Sequence, residues 1–197
     1  MSRLASLASL ASLAGCLSLT GCASSATVSG EHVQQDLATM RAERTPDKLA
    51  ARGRAFASVG DYTRAEQYLS GAIDVGGDPG LLLPELLKVC VASKRYRVAI
   101  DYASPWLTRY PSDTKLRFLV AALRINIGDS AGAKTDLEQV IAGQPADPAA
   151  HFAYAVLLRD QLGQRADADR EFREYLRLAP DGGHVKEARG ALLKSVP

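Results

Sequence analysis

From about residue 46 onward, apolar positions recur at helical spacing. Leu157, Leu158 and Leu162 share one face of one stretch, and Phe172, Tyr175, Leu176 and Leu178 share one face of the next. Polar residues fill the opposite faces, as in "RDQLGQRADADREFREYLR", which reads as a solvated surface laced with charge pairs. These amphipathic stretches repeat one another. The segments "ARGRAFASVGDYTRAEQYLSGAIDVG", "LLKVCVASKRYRVAIDYASPWLTRYP", "VAALRINIGDSAGAKTDLEQVIAGQP" and "AVLLRDQLGQRADADREFREYLRLAP" align with Pro111, Pro145 and Pro180 standing 34 and 35 residues apart. In that register Ala65, Ala99, Ala133 and Ala168 share a column, as do Gly60, Lys94, Gly128 and Gly163. A third column holds Leu69, Ala103, Leu137 and Phe172.

Each column has a physical reading. The Gly column closes a first helix in a short turn, where a positive φ costs glycine nothing. Lys94 breaks that rule, so the second turn is expected to be different or mildly strained. The Ala column marks where two helices approach closely, and a larger side chain there overpacks. The Pro column ends the second helix in three of the four units. Pro105, inside the second helix of the second unit and next to Trp106, is expected to kink or shorten it.

A helix–turn–helix unit of this length resembles the tetratricopeptide repeat. The first unit carries the signature most fully, with Gly53, Phe56, Gly60-Asp61-Tyr62, Ala65, Leu69 and Ala72 on its positions. The third and fourth units depart from it, with Arg124 and Arg159 where an apolar residue is usual. The resemblance implies an all-α fold, a right-handed superhelical solenoid of about four units plus flanking helices. It places the units at about 46–79, 80–113, 114–147 and 149–182. A helix over 31–45, with Val33, Leu37 and Met40 on one face, covers the start of the array. A capping helix over 183–197 presents Val185, Ala188, Leu192 and Leu193 to its end.

The first residues read differently. Arg3 is followed by "LASLASLASLA", apolar and uncharged, then by small residues before a cysteine. That is the layout of a secretory signal, too short and too rich in serine for a membrane-spanning helix. Leu13-Ala14-Gly15-Cys16 and Leu19-Thr20-Gly21-Cys22 both resemble the lipobox of bacterial lipoproteins. The resemblance implies cleavage before the cysteine, a diacylglyceryl group on its sulfur and an acyl chain on its new amino terminus. Several chains anchor stably where one is marginal. Cys22 is favoured over the alternative, Cys16. Cleavage at Cys16 leaves a short apolar core and puts Leu17 and Leu19 just past the anchor, whereas Cys22 is followed by small polar residues that suit a tether. The signal is then 1–21 and the tether 22–30, reaching at most about 25–30 Å from the membrane.

Composition narrows the function. With 24 Lys+Arg against 22 Asp+Glu the net charge is +2, and no basic run tracks phosphates, which argues against nucleic acid as the main partner. Aromatics at 6% and abundant Ala and Leu favour packed helices over sheet. After processing, Cys90 has no partner for a disulfide, and its apolar setting reads as a buried, inert thiol. His32, His151 and His184 lack metal-ligand spacing and read as surface or helix-end residues. Asp167, Asp169 and Glu171 read as a solvated face. No catalytic, cofactor-binding or metal residue is expected.

The repeat family implies a curved inner surface lined by the first helix of each unit, with the second, fifth, ninth, twelfth and thirteenth positions facing it. Those positions include Arg54 and Ser58 in the first unit, Lys88 in the second, Phe118, Ile125 and Asn126 in the third, and Asp160 and Gln161 in the fourth, with Ala150 and Leu157 beside them. The carboxylate clamp of chaperone-binding repeats is absent, since Arg54, Lys88, Ala122 and Leu157 occupy its key column. Cations near the first two units and an apolar middle around Phe118 and Ile125 suit an amphipathic peptide or protein partner. The combined expectation is a membrane-anchored periplasmic scaffold without enzymatic activity. Its architecture resembles the pilot lipoproteins that help assemble or localise outer-membrane pilus and secretion complexes. Ala23 after Cys22 points to the periplasmic face of the outer membrane under the enteric sorting rule. The alternatives are an adaptor docking a cell-wall hydrolase or protease, a small-substrate binder using the groove as a pocket, or a purely structural envelope lipoprotein. Labelled palmitate is expected to enter the native protein and to be lost in Cys22→Ala. Loss in Cys16→Ala instead would move the anchor to Cys16.

Overall fold

The computed structural model describes residues 44–193 together with positions 34, 35 and 38, and the residues from 44 onward belong to one compact unit. Among residues 44–193, nine helices follow one another: α1 (Pro46–Ser58), α2 (Tyr62–Asp74), α3 (Pro79–Ala92), α4 (Tyr96–Arg109), α5 (Thr114–Ile127), α6 (Ser130–Gly143), α7 (Pro148–Asp160), α8 (Arg165–Leu178) and α9 (Val185–Ala191). They form four helix–turn–helix pairs and a short closing helix, the all-α superhelical repeat architecture. Of the helix expected over 31–45, positions 34, 35 and 38 are helical while 44 and 45 are not; the remainder lies outside the described residues, as do Cys16, Cys22 and His32.

Local chemistry sets the helix starts. Asp61, Asp78, Asp113, Asp129 and Asp147 each accept a hydrogen bond from a backbone N–H in the first turn, at 2.8–3.1 Å. Pro46, Pro79 and Pro148 occupy first-turn positions, where the missing N–H costs nothing. The turns within pairs use a left-handed residue: Gly60 at φ 79°, Lys94 at 58°, Gly128 at 79° and Gly163 at 67°. The second turn therefore uses the same left-handed conformation and carries the strain, because a side chain in that region meets the following carbonyl.

Pairing within each unit rests on the Ala column, with Ala65, Ala99 and Ala133 0% exposed and Ala168 2%. A Cβ on Gly53 would lie 2.7 Å from Leu69 Cγ, so α1 and α2 meet closer than two side chains allow. One buried cluster runs from Ala50 of α1 to Val120 and Leu123 of α5, and a second runs from Ala121 of α5 to Ala188 of α9. Both clusters draw on α5, so the core is continuous along the array. Pro105 does not shorten α4, which runs unbroken to Arg109. Asp101 and Pro105 are exposed, so water can solvate the carbonyl left without a donor.

The fourth unit is offset from expectation. In three turns an N–H reaches five residues back: Asp61 to the Phe56 carbonyl, Arg95 to Cys90 and Asp129 to Arg124. In the fourth turn the Gln164 N–H reaches six back, to Leu158, at 2.8 Å. The extra residue of the 35-residue spacing sits in that turn, so α7 keeps the 34-residue register and starts at Pro148, before the expected 149. Gly53, Leu87, Ala121 and Ala155, each 34 apart, are all buried accordingly.

Arg124 and Arg159 are not breaks in the pattern. Arg124 reaches Asp136 on α6 at 3.4 Å and Asp129 at 3.7 Å, while Arg117 reaches the other Asp136 oxygen at 3.3 Å. Burial pushes the Asp136 carboxyl up, and the two guanidiniums oppose that shift. Arg159 pairs with Asp160 at 2.6 Å and with Glu187 of α9 at 3.1 Å, its guanidinium lying over the Phe172 ring. The closing helix is shorter than the expected 183–197: α9 ends at Ala191, and the Leu193 N–H donates to Asp169 at 2.8 Å, leaving the helical path. Residues 194–197 lie outside the described residues.

Relieving the left-handed strain at Lys94 gives a direct test of the turn. Lys94→Gly is expected to raise stability by about 0.5–1 kcal/mol in urea unfolding, the strain relief of ~1–2 kcal/mol being partly offset by glycine's greater freedom in the unfolded chain. A less stable Lys94→Gly protein would contradict the turn geometry.

Candidate functional site

The first helices of the four units, α1, α3, α5 and α7, carry the expected inner positions, and the three seams between them differ. Between α1 and α3, Arg54 makes an exposed ion pair: its Nε and Nη2 donate to the two Glu85 carboxylate oxygens at 2.7 and 3.0 Å. The paired carboxylate holds the guanidinium above its ordinary range. Ser58 donates to the Ala55 carbonyl within its own helix at 2.7 Å.

Between α5 and α7, apolar side chains close the surface. Phe118 and Ile125, expected to form an open apolar middle, are half-buried and pack on the second core cluster together with Phe152 and Val156. Phe152 in turn stacks on His184, ring centroids 4.1 Å apart. The remaining expected positions of these units are also engaged locally. The Asn126 amide donates to the Ala122 carbonyl at 2.8 Å, and Asp160 holds Arg159. Gln161 belongs to the lengthened turn rather than the inner face, where it accepts from Ser130 Oγ at 2.6 Å. Ala150 and Leu157, assigned inward in the expected register, are core residues at 0% and 1% exposure. The one-residue offset of α7 accounts for both.

The seam between α3 and α5 is open. A cleft of about 670 Å³ lies there, with Leu83, Leu87, Leu116 and Trp106 at its base and Pro84, Val91, Ala92 and Leu119 along its walls. Lys88 and Lys115 line it, and neither has an acidic partner among the described residues. Trp106, from α4, lies at the base of the opening. Its Nε1 donates to Asp113 Oδ2 at 3.1 Å, and its ring stacks obliquely on Tyr110 at 4.3 Å. A Cβ on Gly80 would sit 3.4 Å from the indole, so the ring spans from the start of α3 to the start of α5. Val91 and Leu119 keep 37% and 36% of their surface exposed at the rim, and Leu81 nearby keeps 68%. Sequence reasoning from the family's inner positions found Pro84, Lys88, Val91, Ala92 and Lys115 but missed Trp106 and Leu119. Trp106 belongs to a second helix, and the expected inner positions came only from first helices.

Titratable groups elsewhere serve the scaffold. His151 stands in the first turn of α7 and is buried rather than on the surface: its Nδ1 faces Glu171 Oε2 at 2.7 Å and its Nε2 faces the Pro145 carbonyl at 3.0 Å, tying α7 to α8. Asp169 is likewise buried, held by Arg173 at 2.7 Å, so the acidic run 167–171 is not one solvated face. Glu66 receives Arg95 and the Tyr102 hydroxyl, joining α2 to α4. Cys90 is fully buried and unpaired, and burial pushes its thiol up to about 11, which leaves almost no thiolate at neutral pH. Among the described residues there is no cluster of three or more His, Cys, Asp or Glu arranged for a metal, and no helix long and apolar enough to cross a membrane.

No protein-family model matches the chain, and no curated protein matches its sequence. Its fold is shared with solved structures, tetratricopeptide-repeat proteins among them. One is a tetratricopeptide repeat protein from Parabacteroides merdae ATCC 43184, at TM-score 0.65 and 18% identity over 74% of this chain; the chain spans 58% of that protein's length. Another is YrrB, described as a TPR protein with an unusual peptide-binding site, at TM-score 0.64 and 19% identity over 75% of this chain and 76% of YrrB. A third is MamA from Desulfovibrio magneticus RS-1, at TM-score 0.60 and 15% identity over 77% of this chain and 88% of the other.

Proposed function

We propose that this chain, a solenoid with the tetratricopeptide-repeat fold, is a non-catalytic scaffold that docks a protein partner in the α3–α5 cleft while a lipid on Cys22 holds it at the periplasmic face of the outer membrane. The observation that carries the docking is the pair of exposed apolar side chains, Val91 and Leu119, facing an open cleft in the middle of the array. Apolar side chains gathered around a concavity mark interaction surfaces far more often than scattered ones do. The fold neighbour YrrB, described as having a peptide-binding site, supports the same use of a repeat array. The anchor rests on the lipobox resemblance at residues 19–22 and on the polar stretch that follows it.

Within that reading, the partner is a component of an outer-membrane pilus or secretion complex, and the scaffold helps localise or assemble it. What supports this is a likeness of architecture, a lipobox-like start ahead of a repeat array, although such pilots often carry more repeats; fold alone does not set it.

Cross-linking in intact cells followed by recovery from the membrane fraction tests both parts. Native protein is expected to bring down an outer-membrane assembly component, and the Val91→Asp/Leu119→Asp double variant to recover less than about a tenth as much. Both sites are partly exposed, so folding should change little. Unchanged recovery in the double variant would remove the cleft as the docking site. Recovery of a cell-wall hydrolase or protease would replace the assembly role with an adaptor role.

A further inference from the structure

Resting on the reading of the α3–α5 cleft as a docking site, the chemistry of its lining specifies the occupant. Its base and walls are apolar. Its charged residues are Lys88, Lys115 and Asp113. Asp113 is already engaged through both oxygens: Oδ1 accepts the Leu116 N–H at 3.0 Å and Oδ2 accepts the Trp106 indole N–H at 3.1 Å. The nearby acid Glu85 is spent on Arg54. Lys88 and Lys115, which are exposed, therefore meet the cleft with no acidic partner among the described residues. An occupant that leaves them unanswered forfeits the charge complementarity the lining offers.

The backbone adds a third feature. Pro84 sits inside α3 and carries no N–H, so the Gly80 carbonyl one turn earlier has no helical donor. Gly80 and Pro84 lie on the same face of α3, and both line the cleft. Both are exposed, so this carbonyl is open to water and equally to a donor on an occupant.

We infer that the cleft takes an apolar peptide segment carrying acidic groups, its apolar side chains against Leu83, Leu87 and Leu119, its carboxylates at Lys88 and Lys115, and a backbone N–H at the Gly80 carbonyl. A fatty acid would answer the apolar base and one lysine, but it has no N–H for Gly80 and a single charge for two lysines. A peptide meets all three features.

Trp106 is the single tryptophan of the chain and lies at the base of the cleft, so its emission reports occupancy directly. The lipid-free mature chain is titrated with three synthetic peptides that share one leucine- and alanine-rich sequence and differ at two positions, Glu, Gln or Lys, and separately with myristate. Calorimetry serves as the second readout. The Glu peptide is expected to bind about tenfold more tightly than the Gln peptide, with the difference shrinking as salt rises, and the Lys peptide to bind more weakly still. Lys88→Gln/Lys115→Gln should bring the Glu peptide down to the Gln level while leaving the circular dichroism and thermal midpoint unchanged. Equal affinity for the Glu and Gln peptides, no binding by either readout, or saturation by myristate with no response to peptide would overturn the inference. So would a concentration-dependent dimer in sedimentation that Leu119→Asp abolishes, since a second copy would then fill the cleft. Peptide failure alongside Val91- and Leu119-dependent capture of a membrane partner removes only this inference. Peptide success without any membrane capture removes only the scaffold reading.

Discussion

The close approach of the two helices in each unit is the contact on which the rest of the molecule depends. It is made at Ala65, Ala99, Ala133 and Ala168, where almost no surface is left to solvent. A methyl group is the largest side chain that lets the paired helices meet there while the flanking leucines and Phe172 still fill the space between units. The same contact recurs in every pair, although α3 and α4 meet less extensively than the other pairs do, and the stacking gives the array one continuous core with α5 shared between its halves. Repeats of this kind gain stability from neighbours rather than from any single unit. The terminal pair is accordingly closed by α9, whose Ala188 is fully buried.

On that regular frame, the inner surface is made irregular by a few side chains. An Arg54–Glu85 pair bridges the first seam, and Phe118, Ile125 and Phe152 fill the third. The second seam stays open, with an indole spanning the starts of α3 and α5 at its base. Trp106 is fixed there by its hydrogen bond to Asp113, which also caps α5. One aspartate thus both starts a helix and holds the indole that floors the cleft. The two partnerless lysines gain their meaning from this context. On a flat surface they would be ordinary solvated charges, whereas beside an apolar concavity they define what can enter.

Much of this was legible in the sequence, and the parts that were not have physical reasons. The Ala, Gly and Pro columns gave the repeat and its turns, because a close approach, a left-handed φ and a helix stop each admit few residue types. Lys94 was correctly marked as an exception. The offset of α7 was hidden, because a spacing of 35 between prolines does not say which turn holds the extra residue; only the six-residue reach of the Gln164 N–H locates it. The same offset misplaced Gln161, Ala150 and Leu157. His151 and Asp169 looked like surface residues because their partners, the Pro145 carbonyl and Glu171 for one and Arg173 and the Leu193 N–H for the other, become visible only once the chain is folded. Trp106 was read only as the neighbour of Pro105, because the inner positions were drawn from first helices and it belongs to a second one.

The dependence of the cleft on the alanine contact can be measured in one variant. Ala99→Leu places a larger side chain between α3 and α4, the helix that carries Trp106. Urea unfolding is expected to show a loss of about 1–3 kcal/mol, the usual cost of overpacking, and native-state Trp106 emission is expected to shift to the red as α4 moves and water reaches the indole. The same substitution at Ala51, which is exposed on α1, should change neither quantity. An Ala99→Leu protein as stable as the native one, with unshifted emission, would contradict the claim that this contact sets the geometry of the array.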